Sequence, residues 1–259
     1  LHLRRPPTAL HAAIHRSMER RAAGADRVLV TTDWQLEDLE RRYPGAQVVK
    51  IPNGYEEEDF AGFRPDRPAG PFTISHFGML TLGRSTRPFL AGLARLFERS
   101  PELGKRIAAA FIGPRETANE AWVGRFGLGD AVRFEDTLSH EACVRREAES
   151  HALLLVKHDD PRYRGLVPGK LFEYIGARRP ILALVPEGEA AAIVRRLRRG
   201  EVAPLDSAGA IADAIERLYR RHEAGTLERD YDLGPAPGLS RRAAAERLAD
   251  LLGRMGETR

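Results

Sequence analysis

A doubly wound α/β fold with a parallel sheet is predicted for this chain by three observations. Short β-rich runs alternate with helical stretches along most of its length. One of those runs, Ala152–Lys157 (ALLLVK), is apolar almost throughout, and glycine-containing turns follow several runs where they give way to helices. Strands alternating with helices imply parallel pairing with helices on both faces. A nearly all-apolar run is what a central strand covered on both sides requires.

The elements follow in order. Asp26–Thr31 (DRVLVT) reads as a strand, 34–43 as a helix, and Gln47–Ile51 as a strand stopped by Pro52, Asn53 and Gly54. Residues 53–70 are polar, rich in Gly and Pro and without apolar period, so they read as a linker. A longer series then opens with strand Phe72–Phe77 and helix Arg87–Arg99, whose Phe89, Leu90, Leu93, Leu96 and Phe97 share one side. Next come strand Ile107–Ile112, helix 119–126, strand 132–134, helix 139–150 and strand 152–157. Helix 168–177, strand 181–185, helix 189–198, a short strand near Val202 and helix 208–222 complete it, and a last helix, 241–254, follows a Gly/Pro-rich stretch.

Composition narrows the class. Hydrophobic residues are 42% and charged residues 30%, as in ordinary soluble globular proteins. No apolar run approaches the ~18–20 residues of a membrane span. The opening Leu1–Leu10, with Arg4, Arg5, Pro6 and Pro7, lacks the apolar core of a secretory signal. The chain starts on Leu and is expected to begin partway through a longer protein. Cys143 is the only cysteine, which excludes an internal disulfide and a thiolate zinc site and makes a reducing, cytoplasmic setting the default. Net charge is only +4, and pairs such as Glu98–Arg99 and Arg146–Glu147 read as solvated helix faces, so no nucleic-acid partner is expected. Arg195, Arg196, Arg198 and Arg199 form a local basic cluster. It reads either as an exposed helix end complementing the dipole or as a surface for peripheral contact with anionic lipid or an acidic partner.

In a doubly wound sheet ligands lie outside the carboxyl ends of the strands, so the residues after each strand matter most. Gly165–Leu166–Val167–Pro168–Gly169–Lys170–Leu171–Phe172–Glu173–Tyr174 follows the most apolar strand and opens a helix, with Pro168 suited to its first position. The first-turn amides and positive dipole end suit a phosphate, and Lys170 adds a point charge. Glu173 lies on the face of Lys170, ~5–8 Å along the helix, about the step from a diphosphate to a ribose whose hydroxyls a carboxylate accepts. The same spacing also describes a plain i,i+3 ion pair. Gly78–Met79–Leu80–Thr81–Leu82–Gly83–Arg84–Ser85 is a second glycine loop, in which Arg84 could hold a phosphate bidentately. Its spacing is that of a P-loop, but Arg84 stands in place of the lysine and no Walker B strand is evident. Gly113–Pro114 and Asp136–Thr137–Leu138 sit where a base pocket or plain turns would form. His76 ends its strand either packed or facing a ligand. Ser139–His140–Glu141 lacks the second histidine of a zinc protease, and His11 and His15 read as exposed, so no metal site is expected.

Taken together, these residues resemble the C-terminal part of a GT-B, family-4-like glycosyltransferase. The resemblance rests on Ala25–Val30 with Ile51–Gly54, on His76–Leu80 with Gly83–Ser85 and Arg87–Leu90, on Pro168–Tyr174 with Arg179–Leu182, and on the terminal helix. It implies a donor domain at 63–235, preceded at 1–62 by the tail of an acceptor-side Rossmann-like domain plus linker, and followed at 236–259 by a crossover helix. It implies binding of a nucleoside diphosphate sugar as co-substrate through Gly78, Gly83, Arg84, Gly113, Thr137, Leu138, Gly165, Leu166, Val167, Pro168, Lys170, Leu171 and Glu173. Glu173 corresponds to the ribose-binding second glutamate of the family's E-x7-E motif. The first falls on Gly165, a departure that gives weight to the alternative of a non-catalytic nucleotide-binding module. A GT-B epimerase is a further alternative. Arg84 and Lys170 resemble the cations that neutralise the leaving group, which implies metal-independent, cofactor-free hexosyl transfer, with a lean to retention. The acceptor stays open among a glycan, a lipid-linked acceptor and a small molecule. No catalytic residue is assigned, and residues 1–259 alone are expected to bind nucleotide without transferring sugar.

Overall fold

The computed structural model of the protein describes residues 8–62, 69–80, 83–160 and 163–257. Thr81 and Leu82 of the first glycine loop, the opening Leu1–Pro7 and residues 63–68 of the expected linker lie outside the described residues. The chain forms two compact units, one of Asn53–Glu246 and a smaller one of residues up to Pro52 together with those from Arg247 on.

The smaller unit carries helix α1 (Ala9–Ala23), strand β1 (Val28–Val30), helix α2 (Asp33–Arg42) and strand β2 (Val48–Lys50). The two strands pair in parallel, Val28 opposite Val48, and are shorter than the apolar runs because only these residues find partners. Helix α1 was not assigned from the sequence, and none of its side chains is buried. Thr8 caps it by accepting from the His11 amide at 3.3 Å.

The larger unit alternates regularly. It runs β3 (Phe72–Phe77), α3 (Arg87–Arg99), β4 (Ile107–Ile112), α4 (Thr117–Arg125), β5 (Val132–Glu135), α5 (His140–Ala148), β6 (Ala152–Val156), α6 (Gly169–Gly176), β7 (Ile181–Leu184), α7 (Glu189–Arg196), β8 (Gly200–Ala203), α8 (Ala208–Glu223) and the short α9 (Leu227–Asp230). The terminal helix α10 spans Arg241–Glu257. Six strands form one all-parallel sheet in the order β5-β4-β3-β6-β7-β8. Numbered within the sheet this is 3-2-1-4-5-6, and it reverses between β3 and β6.

Alternate residues of the strands feed two cores. Ile74, Ala109, Leu154 and Leu182 pack with α3 and α8 on one face. Phe77, Ala110, Leu153 and Leu155 pack with α6 and α7 on the other. Every side chain of β6 is buried, as its composition requires. Helices α3 and α8 approach so closely that a Cβ on Gly92 would lie 2.3 Å from Ile211 Cγ2.

The structure corrects several sequence readings. Residues 53–62 and 236–246 cluster with the larger unit. The physical reason is that Tyr55 and Phe60 are buried in its second core, and Tyr55 bridges to Ser240, accepting from Arg241 and donating to Leu239 through its backbone. Pro168 is the N-cap of α6, with extended backbone, and the helix begins one residue later. The arginines at 195–199 are not one exposed patch. Arg195 pairs with Glu187 at 2.6 Å, Arg198 donates to the Asp230 carbonyl, and Arg199 is buried with a bond to the Gly234 carbonyl. Glu147, read as solvated beside Arg146, is buried. Among the described residues no helix is long and apolar enough to cross a membrane.

Candidate functional site

Because β3 pairs directly with β6, the loops leaving their carboxyl ends become neighbours at the point where strand order reverses. The β3–α3 loop carries Gly78, Gly83 and Arg84, and the β6–α6 loop carries Gly165, Leu166, Val167 and Pro168. A Cβ on Gly83 would lie 3.4 Å from His158 Nδ1, which shows how near the two loops come. The β4–α4 loop joins them on the other side. Gly113, at φ +142, comes so close to Gly78 that an added Cβ would meet the Gly78 carbonyl oxygen at 3.0 Å. Gly78, Leu80, Thr86, Gly113, Glu116 and Asn119 line a narrow cleft there.

Asn119 holds this floor together and was missed in the sequence. Buried on α4, it donates to the Leu80 carbonyl at 3.0 Å and accepts from the Thr86 amide at 3.1 Å. Thr86 in turn donates through its hydroxyl to the Asn119 carbonyl at 3.0 Å. The signal available was a lone amide near the start of a helix that follows a strand, which is too common a pattern to single out. The β6–α6 loop is held by Lys157, whose ammonium is buried and donates to the Tyr163 carbonyl. Burial pulls its pKa down to about 8, against the attraction of Glu189.

Helix α6 then sets the charged centre. Leu171, Phe172, Tyr174 and Ile175 point into the core, and the Tyr174 hydroxyl accepts from the Phe77 amide at 3.2 Å, anchoring the helix to the end of β3. That packing leaves Lys170 and Glu173 on the opposite face, where they form an ion pair at 2.7 Å. The i,i+3 pair that the spacing allows is therefore present. A second carboxylate reaches Lys170 from α5, Glu147 Oε1 at 3.4 Å. Burial pushes the Glu147 carboxyl up to about 7, although Lys170 pulls it down. Lys170 loses basicity by burial, but the two carboxylates outweigh that and raise its pKa.

His76, at the end of β3, is buried, and its Nδ1 lies 2.8 Å from the Leu154 carbonyl, which makes Nδ1 the protonated nitrogen. Burial depresses its pKa to about 4; the Leu154 bond opposes this, and the positive charges of Lys170 and Arg84 add to it. Lys170 of α6 and Arg84 of the β3–α3 loop are thus both near enough for their charges to act on His76. His76 reads as a packed residue beneath the site, its ring beside Phe111.

The remaining sequence candidates divide. Leu171 is fully buried, and its amide already donates to the Pro168 carbonyl at 3.0 Å, so its side chain belongs to the core. Leu138 and Val167 pack against that core, Thr137 is exposed on the β5–α5 loop, Gly165 is buried and Leu166 is exposed. Among the described residues no three His, Cys, Asp or Glu side chains are grouped to hold a metal.

No family model and no curated protein matches the chain. Solved structures match its fold. The pneumococcal O-GlcNAc transferase GtfA, in complex with UDP and GlcNAc, superposes with a TM-score of 0.64 at 15% identity, covering 93% of this chain and 47% of that one. TarM of S. aureus, a mutant in complex with Fondaparinux, α-GlcNAc-glycerol and UDP, gives 0.69 at 10% identity over 95% and 48%. WaaG, a glycosyltransferase involved in lipopolysaccharide biosynthesis, gives 0.65 at 16% identity over 92% and 67%. The chain spans about half of the first two and about two-thirds of the third. The likeness shows a shared fold, and at that level the GT-B resemblance read from the sequence holds.

Proposed function

We propose that this chain is the donor-binding half of a glycosyltransferase. It holds a nucleoside diphosphate sugar at the reversal point of the sheet and, in the complete protein, serves transfer of the sugar to an acceptor hydroxyl. The observation that carries this reading is the place of Lys170 in the first turn of α6, at the reversal point between β3 and β6. A helix N-terminus carrying a cation suits a diphosphate. In this reading Glu173, part exposed and paired with Lys170 without ligand, turns to accept from the ribose hydroxyls. Gly78 and Gly113, both at positive φ, let backbone approach the ligand. Structural neighbours solved with UDP support the same ligand class.

In this reading the developing charge on the leaving diphosphate is stabilised by Lys170, Arg84 and the helix dipole, without a metal. The sugar is a hexose carried on UDP or GDP, and transfer retains its anomeric configuration. The acceptor and its catalytic groups belong to the other half of the enzyme.

A thermal-shift panel with UDP, GDP, ADP, dTDP and CMP tests the proposal. One nucleoside diphosphate at ~100 times its Kd is expected to stabilise the chain by ~2.7 kcal/mol, or ~5–11 °C, and to lose most of that effect on Glu173→Ala. A cooperatively melting sample that none of them shifts would overturn it.

A further inference from the structure

Glu147 is an unusual residue to find at the root of an anion site. Helix α5 turns Val144, Glu147 and Ala148 inward, so the carboxylate shares the apolar stripe. The side chain is 1% exposed. Oε1 lies 3.4 Å from Lys170 Nζ, while Oε2 has no hydrogen-bond partner. A buried, half-satisfied carboxylate is costly, and its cheapest relief is a proton. The groups around it are few. Lys170, Glu173 and Tyr174 face it from α6, His140 and Cys143 lie on its own helix, and His76 lies beyond Lys170 on β3. Two carboxylates share one ammonium, so the Glu147–Lys170–Glu173 cluster carries a net negative charge when both are ionised.

We propose that Glu147 is the positioning residue of Lys170, and that arrival of the donor diphosphate is accompanied by uptake of one proton from solvent on the Glu147 carboxylate. The inference rests on the donor-site reading above. Without ligand, Glu147 and Glu173 divide the ammonium between them. The diphosphate brings two negative charges to that ammonium, and Glu173 turns to the ribose. Glu147 then faces more negative charge with less compensation, in a place where neither charge is screened by water. Protonation removes the Glu147 charge and leaves Lys170 seated beneath the phosphates. Between about pH 6 and 8.5 two groups titrate, Glu147 at about 7 and Lys157 at about 8 under the β6–α6 loop, and Glu147→Gln separates them. His76 is depressed to about 4, and burial raises Cys143 and Tyr174.

The test is calorimetric titration of the full chain with UDP-GlcNAc, UDP-glucose and GDP-mannose, each in two buffers of different ionisation enthalpy. Sugar nucleotides are suitable probes because their diphosphate lacks the terminal phosphate ionisation near pH 6. Uptake of about half a proton is expected near pH 7, with affinity about five- to tenfold weaker at pH 8.5 than at pH 6. Glu147→Gln removes both effects, His140→Gln removes neither, and uridine or guanosine, without phosphates, binds independently of pH in the wild type. Binding of a sugar nucleotide with no proton uptake, or with uptake unchanged in Glu147→Gln, overturns the inference alone. No binding of any sugar nucleotide overturns the donor reading and this inference with it. Should Glu147→Gln fail to fold, proton uptake by the wild type near pH 7, where Lys157 is already largely protonated, decides the matter against the nucleoside.

Discussion

Lys170→Met is expected to weaken sugar-nucleotide binding by about 10–100-fold, the loss of one charge-assisted contact worth ~1.5–3 kcal/mol. Titration calorimetry of both forms measures it. The same variant separates binding from stability through pH. The Glu147 carboxyl is raised from 4.5 to about 7 in the folded chain, so its contribution to stability is fully present below about 4.5 and is lost as pH rises through about 7. Removing the ammonium pushes that carboxyl higher still. At pH 5 Glu147 is neutral in both proteins, and melting curves of wild type and Lys170→Met are expected to lie close together. At pH 8 the wild type keeps an ion pair, whereas the variant must hold a proton on Glu147, a difference of about 1.4 kcal/mol for the one pH unit above about 7. Equal destabilisation at both pH values would mean that packing of the lysine stem, rather than the Glu147 charge, dominates.

Gly200→Ala is expected to have the largest purely structural effect. Gly200 opens β8 opposite Ile181 and has φ +144. A Cβ there would lie 2.1 Å from the Ile181 carbonyl oxygen and 2.5 Å from its amide nitrogen. Both are backbone atoms of the neighbouring strand, and the Ile181 amide is also bonded to the Arg199 carbonyl at 2.7 Å, so no side-chain rotation relieves the clash. Edge strand β8 must move away from β7. Overpacking and backbone strain together cost about 2–5 kcal/mol, a fall of roughly 5–15 °C in Tm for a chain of this size. Gly124→Ala is the control. Nothing lies within 4 Å of its added Cβ, and it sits in α4, where alanine favours the helix. It is expected to leave Tm unchanged or raise it, as read by far-ultraviolet circular dichroism.

Much of the fold was legible because its signals are local. The alternation of apolar runs with amphipathic stretches returned every strand of the large sheet, since each run is bounded by Gly, Pro or polar turns. The strand order was not legible, because pairing of β3 with β6 joins residues nearly eighty apart and leaves no local trace. The linker reading of 53–62 failed for a related reason. Tyr55 and Phe60 have no periodic apolar neighbours, and only the bridge to Ser240 reveals why they are buried. Within the site, Lys170 and Glu173 could be placed on one helix face from spacing alone. Glu147 could not be placed by its neighbour Arg146, which pairs with Glu135 at 2.9 Å instead. The stripe of Val144, Glu147 and Ala148 did carry the information, as an acid at an inward position of a short helix.

The most direct test of the central claim is a crystal structure of the chain with the sugar nucleotide that binds it. The account predicts the diphosphate against the first turn of α6, within hydrogen-bond reach of Lys170 and Arg84. Glu173 is then released from Lys170 and accepts from both ribose hydroxyls. A nucleotide bound elsewhere on the chain, or one seated with the Lys170–Glu173 pair unbroken, would contradict it.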